Sequence, residues 1–148
     1  KSEPTVANLF SDIGDLPGYV IEKIELARNL ARKAPDVALK ELEDLYIEGH
    51  ITSDLYIVAG EAYIFQEKFE KAETMFLCAA VREVEVPIEC QINLASLASM
   101  RGDLTLANWW VTRIEKLEPD HEHLKQIKSN IEEKFSKKEN SSISPFSN

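Results

Sequence analysis

Residues 53–79 read SDLYIVAGEAYIFQEKFEKAETMFLCA, and this stretch decides the fold. Thr52 or Ser53 caps a helix from Asp54 to Gln66, and a second helix, Lys68 to Glu83, follows almost at once, so the two must lie antiparallel as a hairpin. Tyr56, Ala59, Gly60 and Tyr63 mark a face of the first helix; Ala72, Phe76 and Ala79 share one face of the second. A glycine inside a helix costs about 1 kcal/mol relative to alanine, so Gly60 implies a close backbone approach where the two helices cross.

The pattern of the second helix recurs. Ala72, Phe76 and Ala79 are matched 35 residues later by Ala107, Val111 and Ile114, and 34 residues earlier by Ala38, Leu42 and Leu45. A small residue with larger apolar ones four and seven on lets a partner helix approach along one face. Helix punctuation agrees with three such units. Tyr19 to Lys33 precedes Asp36 to Glu48, with Pro35 suited to the first turn and Gly49 placed to end it; Pro87 opens a helix to Met100, Gly102 ends that one, and Asp103 caps Leu104 to Leu117 before Pro119.

In the middle unit, Tyr56, Ala59, Gly60 and Tyr63 stand at the spacings of the pattern W-x2-L-G-x2-Y, followed by Phe69, Ala72, Phe76 and Ala79, and the unit resembles a tetratricopeptide repeat. The third unit carries Gln91, Leu94, Ala95 and Ala98 at the first-helix positions, then Leu104, Ala107, Val111, Ile114 and the closing Pro119. The first fits through Ala38, Leu42 and Leu45, but Glu22, Glu25, Leu26 and Asn29 depart from the pattern in its first helix, where Val20, Ile21, Ile24 and Ala27 point to a shifted register. The resemblance implies an all-α fold, antiparallel hairpins at 19–49, 52–84 and 87–119 stacked as a short right-handed solenoid. Such a stack exposes apolar faces at its ends, so flanking caps are expected: a short helix and turn in residues 1–18, and a one-sided amphipathic helix at 120–138 carrying Leu124, Ile127, Ile131 and Phe135. Residues 139–148, rich in serine and asparagine, are expected to form a flexible tail.

Charge narrows the function. The chain has 148 residues and 17 Lys and Arg against 26 Asp and Glu, a net of −9; residues 1–119 hold 12 − 21 = −9, so the negative charge belongs to the hairpins and their lead-in. Nucleic acid and anionic membrane surfaces recruit Lys and Arg, so neither is an expected partner. No run approaches the eighteen apolar residues of a membrane span. Cys78 and Cys90 form no disulfide framework and have no metal spacing, which points to a reducing, cytoplasmic setting, with the periplasm as the alternative.

Chemistry-bearing constellations are thin. His121 and His123, beside Asp120 and Glu122 at a helix start, would point about 200° apart and are poorly placed to share one ion. Adjacent acids such as Glu43 and Asp44 diverge, and there is no phosphate-cradling or nucleophile-elbow motif, so no catalysis, metal or cofactor is expected.

Binding is the expected function. The resemblance implies that the first helices line a concave groove, into which Asp54, Ile57, Glu61, Ile64 and Phe65 would project from the middle hairpin. Glu89, Ile92, Ser96, Ser99 and Met100 would project from the third, and Val20, Lys23, Ala27 and Leu30 from the first. Ala27 and Val58 stand where the polar clamp of carboxylate-binding members belongs, so the expected ligand is a protein segment with apolar anchors and positive charge, held by a scaffold or chaperone. Alternatives are a regulatory or substrate-recruiting domain of a larger enzyme or assembly, and a bacterial secretion-system chaperone. Trp109 and Trp110 diverge by about 100°, so both are not buried against one neighbour; the resemblance, in which second helices usually carry a polar residue at the place of Trp109, implies that Trp109 lies on the convex side as a second contact surface, including for a homodimer.

Overall fold

The computed structural model describes residues 16–142, and every element among them is an α-helix. The expected N-terminal helix and the last six residues lie outside the described part. Seven helices follow in order: α1 Gly18–Leu30, α2 Pro35–Ile47, α3 Ser53–Phe65, α4 Phe69–Ala80, α5 Ile88–Met100, α6 Leu104–Leu117 and α7 Leu124–Ser142. The pairs α1–α2, α3–α4 and α5–α6 pack as hairpins; α2 meets α3, α4 meets α5, and α7 closes the series against both α5 and α6. Helix α7 runs four residues past its expected end at 138, into the segment expected to be a tail.

The recurring second-helix positions are where the hairpins are sealed. Ala38, Leu42, Leu45, Ala72, Phe76, Ala79, Ala107, Val111 and Ile114 are all buried. At Gly60 a Cβ would stand 2.7 Å from Cζ of Phe76 and 2.8 Å from its Cε atoms, so the phenyl ring lies directly on the α3 backbone. Helix α3 buries Leu55, Ile57, Val58, Ala59, Gly60 and Ala62 on two sides, because it is a wall shared by two cores, and keeps Asp54 and Glu61 on a third. Leu55, Val58, Ala59 and Ala62 pack with the first hairpin; Ile57 packs with α4, α5 and α6. The first hairpin buries Val20, Ile24, Ala27 and Ala31, whereas Ile21, expected in its apolar stripe, is half exposed. Leu124, Ile127 and Ile131 of α7 are buried in the second core and Phe135 is 40% exposed.

The turns follow local chemistry. Thr52 Oγ1 accepts from the Leu55 N–H at 3.2 Å and Asp103 Oδ1 from the Leu106 N–H at 3.1 Å, capping α3 and α6. Gly49 (φ 92°) and Gly102 (φ 84°) take the left-handed stop, with the next residue's N–H returning to Leu45 and Ala98 carbonyls. The same motif ends α3, where Lys68 N–H returns to the Tyr63 carbonyl, but Glu67 occupies the left-handed position at φ 59°. A side chain there costs about 1–2 kcal/mol, part of which glycine gives back as unfolded-state entropy. Glu67→Gly is therefore expected to stabilise the fold by about 0.5–1 kcal/mol, read as a rise in urea midpoint at unchanged slope. The C-terminus of α5 is closed from afar: Lys134 Nζ donates to the carbonyls of Ser99 and Met100 at 2.6 and 2.8 Å, adding a charged donor at Ser99, which also accepts from the Gly102 N–H, and giving the Met100 carbonyl a partner.

Candidate functional site

The face formed by the first helices gathers charge and apolar surface in one place. Arg28 of α1 reaches across to α3, its Nη2 3.9 Å from Asp54 and its Nη1 4.0 Å from Glu61, while Nε lies 3.4 Å from Glu25 on its own helix. Glu61 is half-buried. Burial pushes its carboxyl above the ordinary range, Arg28 pulls it back, and the negative charge of Glu89 on α5 pushes it up again. One carboxylate of α3 thus feels both neighbouring hairpins. At the end of α3, Phe65 is 49% exposed with the Arg32 guanidinium 5.9 Å from its ring centroid, a cation–π contact. Beyond it, Met100 is 52% exposed and borders an apolar cleft of about 310 Å³ with Phe69 and Leu97, rimmed by Glu73 and Arg101, which pair at 3.1 Å.

Asp54, Glu61, Phe65, Glu89 and Met100 thus offer accessible atoms, with Ser96 and Ile64 half-buried. Ile57 and Ile92, expected in the groove, are 1% and 9% exposed, and Ser99 is 3%. They are corrected to packing positions: Ile57 and Ile92 belong to the second core, where burying apolar side chains stabilises the fold. Val20 and Ala27 are fully buried for the same reason. Arg28 and Arg32 were missed. The buried stripe Val20, Ile24, Ala27 and Ala31 places residues 28 and 32 one step round the helix, toward α3, and that shifted register was the available signal.

The raised Glu61 carboxyl fixes a sign. A folded-state pKa above the unfolded value means the folded chain holds the proton more tightly, so this group contributes nothing below its unfolded pKa and subtracts stability as pH rises through its folded pKa. Glu61→Gln should therefore be at least as stable as the parent at pH 7, with the difference shrinking below about pH 4. Paired denaturant melts at the two pH values check it; a variant markedly less stable at pH 7 would mean the Arg28 pairing outweighs desolvation.

Elsewhere, Trp109 is 52% exposed with Arg113 4.8 Å from its ring centroid, and Trp110, edge-on to it, is 7% exposed. Cys90 is buried, its Sγ donating to the Phe76 carbonyl at 3.2 Å, and burial pushes its thiol up to about 12, beyond reactivity at neutral pH. Among the described residues no group of three or more His, Cys, Asp or Glu could hold a metal ion, and no helix is long and apolar enough to cross a membrane.

The chain matches no family model, no curated protein and no solved structure.

Proposed function

We propose that the chain is a tetratricopeptide-type, protein-binding module of three hairpins in a short right-handed solenoid. It acts as a scaffold or chaperone that holds a partner segment against the face of α1, α3 and α5. The observation that carries this reading is the convergence on one face of Asp54, Glu61 and Glu89 with the half-exposed Phe65 and Met100. Glu25, Asp54, Glu61 and Glu89 stand against Arg28 and Arg32, leaving that face two charges negative beside exposed apolar rings and thioether. A partner with basic residues next to apolar anchors is complementary in both respects: its cations draw Arg28 away from Glu61, and its anchors cover Phe65 and Met100.

Phe65→Glu is the informative variant, because Ile64 packs against the core and its replacement would also disturb the fold. Phe65→Glu is expected to weaken partner capture about tenfold or more, the effect of losing one anchor, with helical content and melting unchanged. Association should also slow with added salt. Partner capture indifferent to Phe65→Glu would place the contact surface elsewhere.

A further inference from the structure

A crevice of about 490 Å³ opens between the loop that joins α4 to α5, the start of α5 and the end of α6, and none of its lining residues belongs to the face proposed above. Its volume falls in the range of small-molecule sites. At its base is Gln91, a polar side chain only 1% exposed. Gln91 Nε2 donates to the Val86 carbonyl at 2.9 Å, and a carbonyl accepts only from the amide nitrogen, so the orientation of the group is fixed. Oε1 is thereby left buried without a hydrogen-bond partner. A buried acceptor in that state is a standing cost to the fold, and what it lacks is an N–H or O–H donor.

The other walls narrow what carries that donor. Val86, Ile88 and Leu117 are apolar. Beside them stands Arg113, with no carboxylate within 4.0 Å among the described residues and its guanidinium resting on Trp109. Two acids complete the lining: Glu85, with no cation within that distance among the described residues, and Glu118, which has only the His121 ring, at 3.9 Å. A purely cationic ligand would meet a like charge at Arg113, and a purely anionic one would meet two, at Glu85 and Glu118. A ligand that carries both charges on an apolar body offers each wall its complement. An ammonium also suits Gln91 better than a neutral N–H, because the bond is charge-assisted and two further protons remain for a carboxylate.

We infer that this crevice binds a short apolar peptide, about two residues long, with both ends free. Its ammonium donates to Gln91 Oε1 and to Glu85 or Glu118, its carboxylate pairs with Arg113, and its side chains lie against Val86, Ile88 and Leu117. The size agrees: at about 30 Å³ per water the crevice holds roughly sixteen waters, close to the number of non-hydrogen atoms in leucyl-leucine. Pairing with the carboxylate draws the Arg113 guanidinium from the Trp109 ring, so indole emission reports binding.

Isothermal titration calorimetry of the full chain with leucyl-leucine, followed in parallel by tryptophan emission, tests this. The parent should bind with a Kd of about 10 µM to 1 mM, the range open to a ligand of this size. Acetylation of the peptide's amino end, amidation of its carboxyl end, Gln91→Met and Arg113→Gln should each weaken binding about tenfold or more. Gln91→Met removes the orphan acceptor together with the Val86 bond at nearly constant volume, so the unliganded variant should melt within about 4 °C of the parent. Arg113 is exposed, so Arg113→Gln probes the ligand without touching the core. Three results would overturn the inference: no heat and no change in emission up to about 10 mM peptide, meaning that no such ligand completes Gln91; an acetylated peptide that binds as well as the free one, meaning that no ammonium is recognised; and binding that either variant leaves intact, meaning that the peptide sits elsewhere.

Discussion

Phe76→Ala is expected to cost about 3–5 kcal/mol of folding free energy. The ring is fully buried, lies over the Gly60 backbone, and belongs to the core that α4, α5, α6 and α7 share. Cys90 donates to the carbonyl of the same residue, so relaxation of the helix around a cavity would strain a second contact. For a chain of this size about 1 kcal/mol moves the melting temperature by roughly 3–4 °C, so the thermal midpoint should fall by about 9–20 °C. Phe135→Ala is the control. At 40% exposure it loses only part of the transfer term and leaves no cavity, and a cost below about 1 kcal/mol is expected. Similar losses at the two positions would mean that the hairpin seal is not what holds the fold.

Gly60→Ala tests the same seal from the other side. Helix propensity alone favours alanine by about 1 kcal/mol. Against it stands a Cβ 2.7–2.8 Å from three atoms of a ring that is fully buried, and overpacking of that kind costs about 1–3 kcal/mol. The steric term should win, giving a net loss of up to about 2 kcal/mol by denaturant titration. Phe76→Leu shortens the obstructing group, so Gly60→Ala in that background should cost about 1 kcal/mol less than alone. A strictly additive pair would show that the Phe76 contact is not the reason a glycine stands at 60.

Much of this architecture is legible because hairpin packing repeats a short-range pattern. Small-then-large spacing at Ala38, Ala72 and Ala107 marked nine positions that are all buried, and Gly49 and Gly102 marked two helix ends through a backbone conformation that few other residues adopt. Glu67 hid the third such end because it takes that conformation without being glycine. The site was harder to read. Helix α3 is buried on both sides, so its periodicity does not say which apolar residue faces a neighbour and which faces outward, and Ile57 and Phe65 were assigned together although one is 1% and the other 49% exposed. Arg28 lies in the hairpin whose register departs from its neighbours, so the spacing of the middle unit does not point to it. Lys134 closes α5 from more than thirty residues away, and no local pattern announces such a contact.

The face of α1, α3 and α5 is proposed to select a segment with basic residues beside apolar anchors. Selection of a random-peptide display library on the immobilised full chain, with the Phe65→Glu variant as counter-target, tests it most directly. The predicted result is enrichment of peptides in which Lys or Arg flanks one or two large apolar residues, with binding that falls on Phe65→Glu and weakens as salt is raised. Enrichment of acidic peptides, or of peptides held equally well by the Phe65→Glu variant, would contradict it.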